Sequence, residues 1–178
     1  MACEIFVGDD SIHSHEIKYI ESLREDLESL EEKYYILANL RIPSQVDFLV
    51  IKRDGIFIIE LKYWMGKIIG PLNGNWKILS KNNIEKDMGV NPYHQIQNLY
   101  YELSNYLNKN KKKFLTAHAC SQISFKDIKS LIVITPNLEP TSEIEEHPKI
   151  KVIGYPELKK ILTREKSKNV FLKNDEIL

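Results

Sequence analysis

The sequence predicts an α/β domain in which a mixed sheet is sandwiched by helices. Two long segments, 13–32 and 91–107, carry apolar residues at helical spacing. Between them, two apolar runs flank Asp54-Gly55 in the pattern of a hairpin. After the second helix come two short apolar runs, 130–136 and 149–155, that read as core strands. Elements in that order, in a chain of 178 residues, fit one domain spanning 1–178 with a core of ordinary size.

Each element has a local reason. In 13–32, Ile17, Ile20, Leu23, Leu27 and Leu30 fall three and four residues apart, and Ser14 stands where an N-cap belongs. Residues 34–42 are rich in aromatic and branched side chains and stop at Pro43, which predicts a strand. In 45–64 the turn is expected at Asp54-Gly55, because both residue types tolerate positive φ. Residues 66–79 predict a second, shorter pair of strands around Asn73-Gly74, and the polar stretch 80–90 a loop. Asn91-Pro92 opens the second helix, and Ile96, Leu99, Tyr100, Leu103 and Leu107 keep its period. The basic run 109–113 closes it, which suits the negative end of the helix dipole. Residues 156–163 predict a short final helix, and 114–128 carry no functional motif.

Composition removes several classes of function. Basic and acidic residues number 25 each, so this is no cationic arm, and any nucleic-acid contact must come from a local patch. Two cysteines, Cys3 and Cys120, are too few for a disulfide framework and form no CxxC pair, which points to a reducing compartment. The N-terminus turns acidic at once and shows no signal pattern. No apolar run approaches the roughly 18–20 residues needed to cross a bilayer, so a cytoplasmic protein is expected. No phosphate-binding glycine loop and no nucleophile elbow occurs. The chain ends without an obvious tail, and the sequence fits either a whole protein or one domain of a longer protein.

The chemistry is concentrated in "FIIELKYW", residues 57–64, where Glu60 and Lys62 interrupt an apolar strand. A two-residue turn at Asp54-Gly55 sets Arg53 opposite Ile56, Asp47 opposite Lys62 and Leu49 opposite Glu60. Asp47, Glu60 and Lys62 then share one face with Leu49, Ile51, Ile56 and Ile58, while Phe57, Ile59 and Leu61 take the other. Two carboxylates brought together in an apolar setting repel and are costly to ionise, and a divalent cation would compensate them. Oxygen ligands of this kind suit Mg²⁺ or Mn²⁺, and a neighbouring lysine suits the activation of water beside a phosphate. Spacing alone equally fits a solvent-facing edge strand with a plain Asp47–Lys62 ion pair.

The segment "SQVDFLVIKRDGIFIIELKYWMGKIIG" resembles the central motif of the nuclease-related domain, NERD. That family has an early Glu on a helix, then "QxD" on a strand, "GxxxIExK", an aromatic residue, "G.I.G", a Trp and "NPxxQ" opening a helix. Glu16, Gln45, Asp47, Gly55, Glu60, Lys62, Gly66, Gly70, Trp76, Asn91, Pro92 and Gln95 follow that order here. The resemblance covers about 14–107 and the "LIVITP" strand, so the motif-bearing core runs about 14–136. It departs at His15, where the family has Gly, and Glu21 competes with Glu16 for the early position; Glu16 keeps Leu23 and "ANLRIP" in register. The resemblance implies a restriction-endonuclease-like core of the PD-(D/E)xK nuclease superfamily, a central mixed β-sheet flanked by α-helices. It implies a Mg²⁺- or Mn²⁺-dependent DNA endonuclease, with a non-catalytic nucleic-acid binding or sensing module, or an accessory domain of a longer helicase or kinase chain, as the alternative. Asp47, Glu60 and the Leu61 carbonyl would be metal ligands. Lys62 would position or activate water, Glu16 would complete the site, and Gln95 would face the same cleft. DNA is the implied partner, and a homodimer is the assembly that many superfamily members adopt.

Other clusters read as structure. His118 and Cys120 have no partners at zinc spacing, and His13, His15 and Glu16 read more simply as a solvated helix start. Tyr100, Tyr101 and Tyr106 read as helix surface and core rather than as base-stacking groups. Lys109–Lys113 fits a phosphate-tracking run and a solvated helix end equally well.

Overall fold

The computed structural model describes residues 2–8, 14–42, 44–80, 82 and 84–172, with the backbone alone at Ser14 and His15. The predicted roles of His13, Pro43 and the side chains of Ser14 and His15 lie outside the described residues. The first long amphipathic segment is α1, Ser14–Glu28. Ile20, Leu23 and Leu27 are buried, whereas Ile17 at the helix start is exposed and Leu30 lies past the helix end. Strand β1, Cys3–Val7, precedes it, and β2, Tyr34–Ile42, follows. Next come β3, Ser44–Lys52, and β4, Gly55–Tyr63.

The predicted second strand pair is β5, Lys67–Gly70, and β6, Lys77–Leu79, joined by a further strand β7, Glu85–Asp87. Helix α2 runs Pro92–Asn110, and a short α3, Ala117–Gln122, fills part of the stretch without motifs. Then follow β8, Lys129–Thr135, β9, Glu143–Ile144, β10, Ile150–Gly154, and α4, Leu158–Arg164.

Six strands form the main sheet in the order β1-β2-β3-β4-β8-β10, with β2, β3 and β4 antiparallel and β1, β8 and β10 paired in parallel. Side chains alternate between its faces. One face, with Phe48, Val50, Phe57, Ile59, Leu131 and Val133, packs on α1 and α4. The other, with Val46, Leu49, Ile56, Ile58, Ile132 and Ile134, packs on α2 and on the small sheet β7-β6-β5-β9. Helices on both faces of a central mixed sheet fit the restriction-endonuclease-like core.

The hairpin register differs from the expected one. Lys52 faces Gly55, Ile51 faces Ile56 and Phe48 faces Ile59, so the turn residues are Arg53 and Asp54. Among the described residues only Asn39 combines a side chain with positive φ, so the turn does not use that freedom at Asp54. Gly55 is needed for room instead: a Cβ there would lie 2.8 Å from the Phe57 ring. The Asp54 carboxylate is committed to Lys52 and Lys166, each at 2.8 Å. Burial opposes its ionisation, but these two ammonium groups outweigh burial and hold the carboxyl below its usual range. Lys52 itself is 1% exposed and also reaches Glu32 at 3.4 Å. The shift of pairing moves by an even step, so Leu49, Ile56 and Ile58 keep their predicted shared face.

The segment after α4 returns to this turn. Ser167 N–H donates to Asp54 O (2.7 Å) and Leu172 N–H to Arg53 O (2.8 Å), while Val170 and Leu172 enter the α2-side core. Truncating Leu172 to Ala removes packing that the hairpin needs. We expect a loss of about 2–5 kcal/mol, read as a lower urea midpoint at unchanged slope.

Candidate active site

Strands β3 and β4 stop pairing at Phe48–Ile59, short of their charged ends. A ladder continued in register would set Leu61 opposite Val46. Instead the Leu61 N–H donates to Asp47 Oδ2 at 2.9 Å. The side chain has taken the place of a backbone partner, and the strands part there. Within a strand a residue's N–H and C=O point to the same neighbour, so the Leu61 carbonyl faces the same opening. Across it, Lys62 Nζ donates to Glu60 Oε1 at 2.7 Å. Glu60 is 8% exposed and the Lys62 side chain 16%. The predicted Asp47–Lys62 pairing is corrected by this register: Asp47 stands nearest Glu60 and the Leu61 amide, and Lys62 pairs with Glu60.

Strand β2 shows why Asp47 is free to turn. Its pairing with β3 is regular on both sides of Asn39 and Asp47, at Ala38–Phe48 and Leu40–Val46, and omits that one pair. Asn39 has φ of 51°, is 3% exposed and takes a hydrogen bond on Oδ1 from Gln45 Nε2. Gly8 lies against it: a Cβ there would fall 2.7 Å from the Asn39 carbonyl. Asn tolerates the left-handed region better than other residues with a side chain. Sequence reasoning missed Asn39, and its only signal was an Asn inside an apolar strand.

The electrostatics follow from crowding. Burial pushes the Asp47 carboxyl up, and so does the negative charge of Glu60; the Leu61 amide pulls it down, Glu16 pushes it up again and Lys62 pulls it down. The result is about 7, against an ordinary 3.8. Glu16, half-buried in the first turn of α1, therefore acts on Asp47, whereas Glu21 is exposed and contributes nothing resolved. Helix α2 packs on the face of Ile56 and Ile58, which Glu60 shares by alternation along β4. Gln95 lies on α2 with Oε1 buried and without a hydrogen-bond partner. No hydrogen bond joins Gln95 to Asp47, Glu60 or Lys62.

Asp47, Glu60 and the Leu61 carbonyl form an all-oxygen donor set, the chemistry of a hard divalent cation that keeps part of its water shell. Among the described residues, no three His, Cys, Asp or Glu side chains stand together closely enough to hold an ion by themselves. The carboxylate donors are thus a pair, with Glu16 acting from farther off.

The remaining motif residues build the scaffold. Trp76 is fully buried, donates from its indole to Pro71 O (3.1 Å) and packs edge-on to Tyr93 at 5.1 Å. Gly70 makes room for it, since a Cβ would fall 2.9 Å from the indole. Asn91 caps α2 by accepting from Tyr93 N–H (2.9 Å) and ties down the β5–β6 loop by donating to Leu72 O (3.0 Å) and Gly74 O (2.8 Å). In the basic run, Lys111 donates to Cys120 O (2.7 Å) and Ile123 O (3.2 Å), an internal cap on α3. Cys3 and Cys120 are free thiols.

Two predictions test this geometry. Asn39→Gly and Asn39→Ala both lose the hydrogen bond from Gln45, but Ala should cost about 1–2 kcal/mol more than Gly through the left-handed backbone, a difference visible in thermal melts. The second concerns pH. The folded pKa of Asp47 lies above the unfolded one, so between 3.8 and about 7 the folded chain holds the extra proton. Its contribution to stability therefore falls as pH rises through that window and is flat above it. Asp47→Asn keeps an acceptor for Leu61 and removes the charge. In metal-free buffer it should melt higher than the parent at pH 8, by a margin that shrinks as pH falls and closes only near and below 3.8.

The family described as the nuclease-related domain, NERD, matches residues 13–135. No curated protein and no solved structure matches the chain. The match takes in α1, β2, the hairpin, the strands β5, β6 and β7 of the small sheet, α2 and the whole of β8, and it covers well over half of the 178 residues. The chain belongs to the nuclease-related domain family, within the PD-(D/E)xK-like nuclease superfamily.

Proposed function

We propose that the chain is a Mg²⁺- or Mn²⁺-dependent endonuclease that hydrolyses phosphodiester bonds in DNA. The observation that carries the reading is the crowding of Asp47 and Glu60 where β3 and β4 part, with Lys62 held on Glu60 at 2.7 Å. Such crowding destabilises the protein unless something positive offsets it. The cation, when bound, supplies Lewis acidity toward the phosphate and lowers the pKa of water. Asp47, Glu60 and the Leu61 carbonyl would hold it. Lys62 would orient the attacking water and face the negative charge that builds on the phosphoryl oxygens. Glu16 adds negative charge that favours cation entry. Gln95 offers its unpartnered Oε1 as an acceptor for water or a nucleotide amine.

A second reading is a nucleic-acid binding module with little cleavage. It is favoured by the absence of a third clustered side-chain ligand among the described residues and by the balanced net charge. Plasmid nicking with Mg²⁺ separates the two. Lys62→Ala should slow nicking on the order of 10²–10³-fold, the usual effect of losing one group that stabilises transition-state charge. Asp47→Asn should abolish nicking, and calorimetry should show Mn²⁺ binding lost with it. Nicking left intact by either substitution sinks the catalytic assignment. DNA binding without Mn²⁺ binding in the parent protein establishes the module.

A further inference from the structure

We propose that the chain carries a second ligand site, a pocket for a nucleoside phosphate, between the middle of α2, the start of β8 and the start of the edge strand β10. The cavity there is about 340 Å³. That is at the lower end of the roughly 300–1,000 Å³ of small-molecule pockets, and it suits one nucleotide rather than a duplex. It shares no residue with Asp47, Glu60 or Lys62. Ser130 and Leu131 line it, whereas Glu60 and Lys62 lie against Ile132 and Ile134, farther along β8.

Two features of its wall select the ligand. The first is charge. Lys126, Lys129, Lys149 and Lys151 all line the cavity, against two carboxylates. Lys129 is paired with Asp127 at 2.9 Å and Lys151 with Glu165. Lys126 and Lys149 are exposed and make no ion pair among the described residues. Two uncompensated ammonium groups at the rim of a concave site favour an anion. The second feature is aromatic. Tyr100 is fixed by donating its hydroxyl to Lys126 O (2.7 Å), and it meets Tyr101 edge-on at 5.2 Å. Tyr101 is 52% exposed, which leaves ring surface open to a stacking partner. Ammonium groups beside an open aromatic ring are what a phosphate joined to a base requires. His147, Lys149, Lys151 and Glu165 all lie beyond residue 135, where the family match ends. One wall of the pocket therefore comes from outside the family's matched segment, while Tyr100, Tyr101 and Lys126 come from within it.

Free nucleotides and single nucleotides within a strand share this chemistry. The test uses the full chain in EDTA and low salt, so that hydrolysis plays no part and failure here leaves the metal site untouched. Calorimetry is run with inorganic phosphate, thymidine monophosphate and a short oligothymidylate. The monophosphate should bind more tightly than phosphate alone. Tyr101→Ala should weaken it roughly tenfold, the effect of one lost stacked base. The double change Lys126→Ala, Lys149→Ala should weaken it and flatten its salt dependence. An oligonucleotide that binds tighter and is displaced by the monophosphate assigns the pocket to a strand; one that binds no tighter assigns it to free nucleotide. The proposal is overturned if neither ligand binds, if phosphate binds as tightly as the nucleotide, or if both variants bind like the parent.

Discussion

In a regular antiparallel ladder the amide of Leu61 would bond to the β3 backbone. Here it bonds to the carboxylate of Asp47, and the rest of the site follows from that exchange. The bond rotates Asp47 into the sheet's end, stops β3 and β4 from closing on each other and leaves the Leu61 carbonyl facing an opening. It also brings the Asp47 charge beside Glu60, so that the sheet ends in crowded oxygens rather than in a sealed apolar edge. A backbone amide is a fixed donor on a rigid strand, which makes it a better positioner of a carboxylate than a flexible side chain.

That exchange needs support on both flanks. On one side Asn39 breaks the β2–β3 pairing at one position without changing the register beyond it. On the other, β8 runs parallel to β4 through Lys62 and Tyr63, so the charged end of β4 stays anchored although β3 has let go. Helix α2 covers the face beside the opening, and its start is tied to the small sheet through Asn91 and the Trp76 cluster. The glycine, tryptophan and asparagine motifs that follow Glu60 and Lys62 thus set where α2 sits.

Much of this was legible in residue order. Period-two and period-3.6 patterns located β2, β3, β4, β8 and both long helices, because each buries a full face. Parity along the hairpin placed Glu60 and Lys62 on the face of Ile56 and Ile58 even though the turn moved, since the shift was even. What was not legible depends on distant partners. Strand β1 forms only by pairing with β2, and β9 is two residues held against β5. Strand β7 is all charged and exists by pairing with β6, with Lys77 and Glu85 joined across the pair at 2.6 Å. The turn moved because the C-terminal segment grips Arg53 and Asp54, a contact between residues more than a hundred positions apart that no local rule can see.

The same reasoning explains why Asp47 is tolerated at all. Alone, a largely buried carboxylate beside Glu60 and within reach of Glu16 weakens the fold at neutral pH, and nothing else at that strand end depends on its being ionised. An Asn could accept the Leu61 hydrogen bond as well. A residue that lowers stability, while an uncharged one would serve the fold, is what a functional site requires. Charge repulsion that burial makes expensive is also charge that a cation relieves on binding. Burial raises the Asp47 carboxyl most, and the negative charges of Glu60 and Glu16 raise it further; those charges are the part that would draw a divalent ion to the end of β4.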